Sequence, residues 1–244
     1  MSKKISLKQF LMKTGKFDRV DDCIKSVRAG NVTINSQQIA NPNYFFNPEK
    51  AIVKLSNEKL KQVAKLYFLL NKPAGCLSQK SPDEKTIYDL LEKSKIENKI
   101  AKSLFSVGRL DKDTEGLMII TNDGKLSDFV MNPENEITKR YNAVLEKPIA
   151  SENIQLLEKG VIIEIDNLKY KTTKCRIKKV KENEVYISIT EGKKRQIRKM
   201  FEAVGNKVVY LKRVSIGGLQ LGKLKIGDIE PISREEIYAK LTVQ

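Results

Sequence analysis

The stretch GRLDKDTEGLMIITNDG, Gly108 to Gly124, constrains this chain more than any other. Within it, Leu117-Met118-Ile119-Ile120 is an unbroken apolar run of only four residues, closed by the turn signal Asn122-Asp123-Gly124. A run that short, bounded by turn residues, reads as a buried strand. Arg109, Asp111, Asp113 and Glu115 stand directly before it. Charges gathered at the mouth of a core strand are placed for a cleft, because a rigid scaffold presents functional side chains from its loops.

The other apolar residues also come in short runs, so no membrane-spanning helix is expected. The opening MSKKISLKQF lacks the apolar centre of a signal peptide, and a cytoplasmic location is expected. With 244 residues and 40% hydrophobic content, the chain can bury the core of one large domain, or of a small and a medium one. Lys and Arg number 46 against 30 Asp and Glu, a net charge of +16. That imbalance points to a polyanionic partner, nucleic acid first and an anionic membrane surface second.

Histidine is absent, which removes Ser-His-Asp and Cys-His catalysis, His-ligated zinc and the His-dependent deaminase signature together. The three cysteines, Cys23, Cys76 and Cys175, are scattered and odd in number. They suggest neither a disulfide framework nor a thiolate cluster and read as reduced, buried thiols. No metal and no cofactor is expected, and any chemistry rests on carboxylates, Tyr, Lys or Arg.

Residues 1–60 read as a unit of their own. Ile5, Phe10 and Leu11 suggest a short helix ending near Gly15, and Val20, Cys23, Ile24 and Val27 recur at helical spacing. Gly30-Asn31 is a turn, and Val32-Thr33-Ile34 a short strand. This unit carries 11 Lys and Arg against 5 Asp and Glu, among them Lys8, Lys16, Arg19, Lys25 and Arg28, a surface suited to phosphate contacts. Ser56–Lys65 reads as a lysine-rich, mainly helical stretch, and Leu66–Leu70 as a buried strand closed by the Lys72-Pro73 turn.

Residues 61–244 then alternate strands and helices. Tyr141, Ala143 and Leu145 alternate, as do Val185, Ile187 and Ile189, while Leu126, Phe129 and Val130 share a helix face. Ile197, Met200, Phe201 and Val204 give another helix, closed by Gly205, with Arg195, Arg198 and Lys199 on a different face. The fold class is α+β, with a mixed, mainly antiparallel sheet flanked by helices. Asp111, in a turn after a strand, fits a reacting carboxylate and equally a cap on backbone N–H groups. Asp113 reads as a turn or cap residue, Glu115 as surface charge and Tyr141 as a half-buried strand residue.

The segment SLKQFLMKTGKFDRVDDCIKSVRAGNVTINSQQI resembles the S4 (αL-like) RNA-binding domain, with Asp18 where a serine is usual and Ser36 in place of the final glycine. GRLDKDTEGLMIITNDG, KRYNAVLEKPI and EGKKRQIRKMFEAVGNKVVYLKRVSIGGLQL occur in the order and approximate spacing of the RsuA family of pseudouridine synthases, and YFLLNKPAG fits the same architecture. The resemblance implies an S4 domain over 1–60 and a synthase domain over 61–244. It also implies a cofactor-free isomerisation of uridine in ribosomal RNA by a monomeric enzyme. By resemblance Asp111 is the catalytic carboxylate, as nucleophile or as the base that starts elimination. Arg198 is its ion-pair partner, Tyr141 packs on the target base and Arg109 lies beside the flipped nucleotide. Lys139, Arg195, Lys199 and Arg213 are expected as contacts to the RNA backbone. FEAVGNKVVYLKRVSIGGLQL and YNAVLEKPIA are closer to small-subunit (16S) enzymes than to large-subunit (23S) ones.

Two other classes compete. A non-enzymatic S4-type ribosome-assembly factor needs neither the GRLD turn nor Arg198. A metal-dependent nuclease would use Asp111, Asp113 and Glu115 as ligands.

Overall fold

The computed structural model describes residues 4–242; residues 1–3 and 243–244, which the expected domains include, lie outside the described residues. The chain divides into two compact units, one reaching Lys65 and including Leu91–Phe105, the other formed by Leu66–Leu90 and the chain from Ser106 onward.

In the first unit, helix Leu7–Met12 opens on a capping box: the Ser6 hydroxyl accepts from the Gln9 N–H, and the Gln9 side chain accepts from the Ser6 N–H. Leu7, Phe10 and Leu11 pack on Cys23 and Val27 of helix Val20–Arg28 and on Val32, Ile34 and Val53 of a small sheet. That sheet runs Gln37–Gln38, Val32–Ile34, Val53–Leu55, Glu58–Lys59, all antiparallel. The helix expected over Ser56–Lys65 is not formed. Ser56 and Asn57 take φ of 45° and 71°, a hairpin turn that returns Glu58–Lys59 along Val53–Leu55. Leu60, Val63 and Ala64 do fall at helical spacing, but the hairpin seats Leu60 in the core with its N–H on the Val53 carbonyl, so strand pairing wins over propensity.

The second unit is built on one sheet. Its strands follow the order Arg176–Lys181, Glu184–Ile189, Lys139–Leu145, Val208–Ile216, Glu115–Thr121, Tyr67–Lys72, Ile229–Pro231. Neighbours along this path are antiparallel except at one junction, where Val208–Ile216 runs parallel to Glu115–Thr121. The α+β class with a mainly antiparallel sheet is the one expected. Leu117, Met118, Ile119 and Ile120 are all 0% exposed, so the opening apolar run is a strand covered on both faces. Leu117 and Ile119 meet Leu126 and Val130 of helix Gly124–Met131, and Ile237 and Leu241 of helix Arg234–Leu241. Each such side chain contributes about 1.5–3 kcal/mol by leaving water.

All three cysteines are buried and unpaired, and burial pushes their thiols up, to about 11 for Cys23 and about 12 for Cys175. Among the described residues no helix is long and apolar enough to cross a membrane.

The parallel junction depends on Gly116. Its φ is +111°, and a Cβ there would sit 2.2 Å from the Arg213 carbonyl oxygen, with which it is in register. Gly116→Ala should therefore cost about 2–4 kcal/mol through strain and forced separation of two strands. Urea unfolding should show a lowered midpoint at unchanged slope. A loss under about 1 kcal/mol would mean that the junction tolerates a side chain.

Candidate active site

The turn carrying Asp111 is clamped from below. Lys72, at the end of its strand, is fully buried, and its ammonium donates to the carbonyls of Pro73 at 2.9 Å, Lys112 at 3.3 Å and Thr114 at 2.8 Å. The Gly75 N–H also donates to the Lys112 carbonyl, at 2.7 Å, and the Thr114 N–H closes the turn on the Asp111 carbonyl, at 3.1 Å. On the other side of Asp111, the Ser78 hydroxyl both donates to the Leu110 carbonyl and accepts from the Leu110 N–H. The backbone on both sides of Asp111 is thus tied down while its half-buried carboxylate is left open. Among the described residues nothing donates a hydrogen bond to it.

Arg198 does not pair with Asp111. Its Nη2 lies 3.1 Å from a carboxylate oxygen of Asp113 and also donates to the Asp113 carbonyl at 3.3 Å, while Nη1 donates to the Val208 carbonyl at 2.8 Å. The reason is geometric. Arg198 lies inside helix Gln196–Glu202, 6% exposed, and from there it reaches the far side of the turn, where Asp113 projects. Asp113, read from the sequence as a turn residue, is held between Arg198 and Arg195, the latter at 3.3 Å. The Arg195 pair is half exposed and contributes little; the buried Arg198 side of the contact carries the weight. Arg198 still borders the small pocket that Asp111 lines.

A cleft of about 420 Å³ opens beside Asp111 and is lined by Arg109, Tyr141, Lys139, Lys193 and Arg213 among others. Tyr141, on strand Lys139–Leu145, is 7% exposed and stands opposite Arg213 in antiparallel register. Arg109 is exposed at the rim, with Nη1 3.4 Å from the Gln79 side chain. Lys139 and Arg213, expected as contacts to the RNA backbone, are buried, at 8% and 3% exposure. Both sit on the inward face of the sheet, where strand alternation points them away from solvent. Lys199 is half-buried, with its amine on the Glu164 carbonyl, while Arg195 is exposed at the start of its helix.

The basic residues of the N-terminal unit lie on that unit's own surface. Arg19, Lys25 and Arg28 are exposed along helix Val20–Arg28, Lys8 is half-buried, and Lys16 is exposed but paired with Glu58 at 2.7 Å.

The nuclease alternative needs three converging carboxylates. Asp113 is taken by two guanidiniums, and Glu115 accepts from the Tyr210 hydroxyl at 2.8 Å. Among the described residues no cluster of three or more Asp, Glu or Cys has metal-binding spacing.

Sequence reasoning gave no role at the site to Lys72, Ser78 or Gln196, and read Asp113 only as a turn or cap residue or as a ligand of the nuclease alternative. Gln196 donates to Glu191 at 2.6 Å and accepts from the Lys193 N–H at 2.9 Å, which shapes the loop at the cleft edge. For Lys72 a signal existed, since a lysine at the end of the apolar run LYFLLNK has no solvent to reach.

Lys72→Met should orphan two carbonyls, those of Pro73 and Thr114, since the Gly75 N–H still serves that of Lys112, and cost about 2–4 kcal/mol. Burial lowers the Lys72 ammonium to about 8, against the attraction of Asp113, Asp111 and Glu115. Between that value and the ordinary lysine range the unfolded chain still holds a proton that the folded protein has released, so stability rises with pH across this window. The variant loses that slope. Its stability deficit, measured by denaturant unfolding, should therefore widen from about pH 8 to about pH 10. A deficit that narrows would mean that the amine is not the titrating group.

A model of the RNA pseudouridylate synthase family matches residues 66–203. The chain is 36% identical over 218 residues to the Bacillus subtilis (strain 168) protein named uncharacterized RNA pseudouridine synthase YtzG, spanning 87% of this chain and 88% of that one. It is 34% identical over 215 residues to the Escherichia coli (strain K12) ribosomal small subunit pseudouridine synthase A, spanning 87% and 90%. A crystal structure of a pseudouridylate synthase superposes with a TM-score of 0.69 at 29% identity, covering 97% of this chain and 99% of the other. A family match over more than half the chain, and relatives above 30% identical along most of their length, agree with the cleft just described: this chain belongs to the RNA pseudouridylate synthase family and is an enzyme of its RsuA type.

Proposed function

We propose that the enzyme converts one uridine of small-subunit ribosomal RNA to pseudouridine, with Asp111 as the reacting carboxylate. The observation that carries this is the open Asp111 carboxylate facing Tyr141 across one cleft on a fixed backbone. The reaction moves uracil from N1 to C5 attachment on the same ribose. It calls for a carboxylate at C1′ or C2′ and an aromatic surface for the base. Tyr141 supplies that surface. Arg109, exposed at the rim, is positioned to prop the gap left when the nucleotide swings out. Arg198 acts as a positioning residue through Asp113, rather than as a direct partner of Asp111.

The small-subunit target is supported by the likeness to the Escherichia coli small-subunit enzyme over most of both chains. The N-terminal unit is read as an S4 RNA-docking domain that offers Arg19, Lys25 and Arg28 to phosphates. Mapping pseudouridines in both rRNAs from cells lacking the protein tests the target. One small-subunit site should disappear; loss at a large-subunit site instead would move the target, and no loss at all would remove the assignment.

Asp111→Asn should slow pseudouridine formation by about 1,000-fold or more and leave RNA affinity within about threefold, because it removes charge but not shape. Asp113→Asn should slow turnover by a smaller factor, about 10- to 100-fold, since it loosens the turn without removing the reacting group. If the two variants lose rate equally, the division between reacting and positioning carboxylate fails.

Replacing Arg19, Lys25 and Arg28 together by Gln should weaken rRNA binding and flatten log affinity against log salt by about 0.7–0.9 for each lost contact. An unchanged slope would take these residues out of the RNA interface.

A further inference from the structure

Two cations on the floor of the cleft have no task in the reading above. Lys139 and Tyr141 leave the same face of one strand, and Arg213 stands opposite Tyr141 on the next, so the three side chains are neighbours on one side of the sheet. Arg213 donates from Nε to the Leu117 carbonyl at 2.7 Å, but its Nη2 is buried with no partner. Lys139 donates to the carbonyls of Ile137 and Thr190 at 3.1 and 3.4 Å, which leaves one of its three protons unassigned. Among the described residues neither has a carboxylate partner. Burial first, and then the Arg213 charge, lower the Lys139 ammonium to about 8.

Burying two like charges without a counter-ion is costly, and proteins sustain it where a ligand brings the opposite charge. A phosphodiester keeps its oxygens in water at the rim of a cleft, whereas these groups are 8% and 3% exposed. Both line the cleft that holds Asp111 and Tyr141. Resting on the reading of this cleft as the uridine site, we infer that Lys139 and Arg213 bind the carbonyl oxygens of uracil and neutralise the charge it carries while detached from ribose.

The electron count requires such a charge. When the C1′–N1 bond breaks, both electrons leave with the ring, which becomes a monoanion spread over N1, O2 and O4. C1′ is left electron-deficient and is met by Asp111, either by a bond to its carboxylate or by loss of the C2′ proton to it, a proton later returned. After the ring turns, C5 supplies the pair for the new bond to C1′, the C5 proton leaves and N1 takes one up. The ring is again neutral, with no oxidant or reductant involved. Donors fixed in a dry site before charge develops need no reorganisation when it appears.

The test is single-turnover conversion by the full-length enzyme of small-subunit rRNA transcripts containing either uridine or 5-fluorouridine. Fluorine makes the departing ring a more stable anion, so the ring depends less on the two cations. It also blocks loss of the C5 substituent, so consumption of the nucleotide reports glycosidic cleavage. Lys139→Met and Arg213→Met should slow uridine consumption by about 100-fold or more, with transcript affinity within about threefold. With 5-fluorouridine the penalty should shrink to about tenfold or less, and Arg213→Lys should recover part of the lost rate. Equal penalties on the two transcripts would make the cations structural. An affinity loss as large as the rate loss would make them phosphate contacts, and either result overturns the inference. Melting temperatures identify any variant that fails to fold; should Arg213→Met be one, Lys139→Met and Arg213→Lys carry the comparison. A wild-type enzyme that converts uridine in neither rRNA would instead overturn the reading of the cleft.

Discussion

The Lys72 ammonium is the contact on which the rest of the site depends. It has no water to bind and three carbonyls to satisfy, two of them, those of Lys112 and Thr114, flanking Asp113 in the turn that Asp111 opens. A loop of that length would ordinarily sample several conformations, each costing conformational entropy to suppress. One buried charge that donates in three directions removes that freedom, because every alternative leaves a carbonyl or an ammonium unsolvated. Asp111 is held through its backbone, which allows its carboxylate to stand free of hydrogen bonds that would otherwise blunt its reactivity.

Around that carboxylate the protein sets more positive charge than it neutralises. Asp113 lies between two guanidiniums, and Lys72, Arg198, Lys139 and Arg213 are all buried close by. Some of their donors are unused: Nε of Arg198 and Nη2 of Arg213 have no partner. Such groups lower the stability of the empty protein, and a fold selected for stability alone would have replaced them with apolar side chains. Their concentration at the cleft reflects a demand that only a bound substrate meets.

Much of this was legible in the sequence, for identifiable reasons. The short apolar run at Leu117–Ile120, closed by Asn122-Asp123-Gly124, read as a buried strand, and the alternation of Tyr141, Ala143 and Leu145 gave another. The helix at Ile197–Val204 followed from its spacing and its closing glycine. What stayed hidden depends on long-range contact. Nothing local distinguishes a lysine on the surface from Lys139, whose burial is set by strands distant in sequence. The choice of Asp113 over Asp111 as the partner of Arg198 is a matter of which way a turn projects, which spacing does not encode. Ser56–Lys65 misled because helix-forming residues are also tolerated at the exposed edge of a small sheet. Leu91–Phe105 carries no mark of grouping with the N-terminal unit.

The parallel junction at Gly116 also bears on how the molecule comes into being. Arg213 reaches the Leu117 carbonyl across 96 positions of chain, and Gly116 pairs with Arg213 itself. Strand pairing over such separations is slow to form, since loop closure must precede any contact that rewards it. The floor of the cleft therefore cannot exist in a chain that has emerged from the ribosome only as far as the Asp111 turn. During synthesis the apolar strand Leu117–Ile120 can pair with Tyr67–Lys72, which is already made, but the other edge of its strand stays open until Val208–Ile216 arrives, an edge available meanwhile for mispairing and chaperone capture.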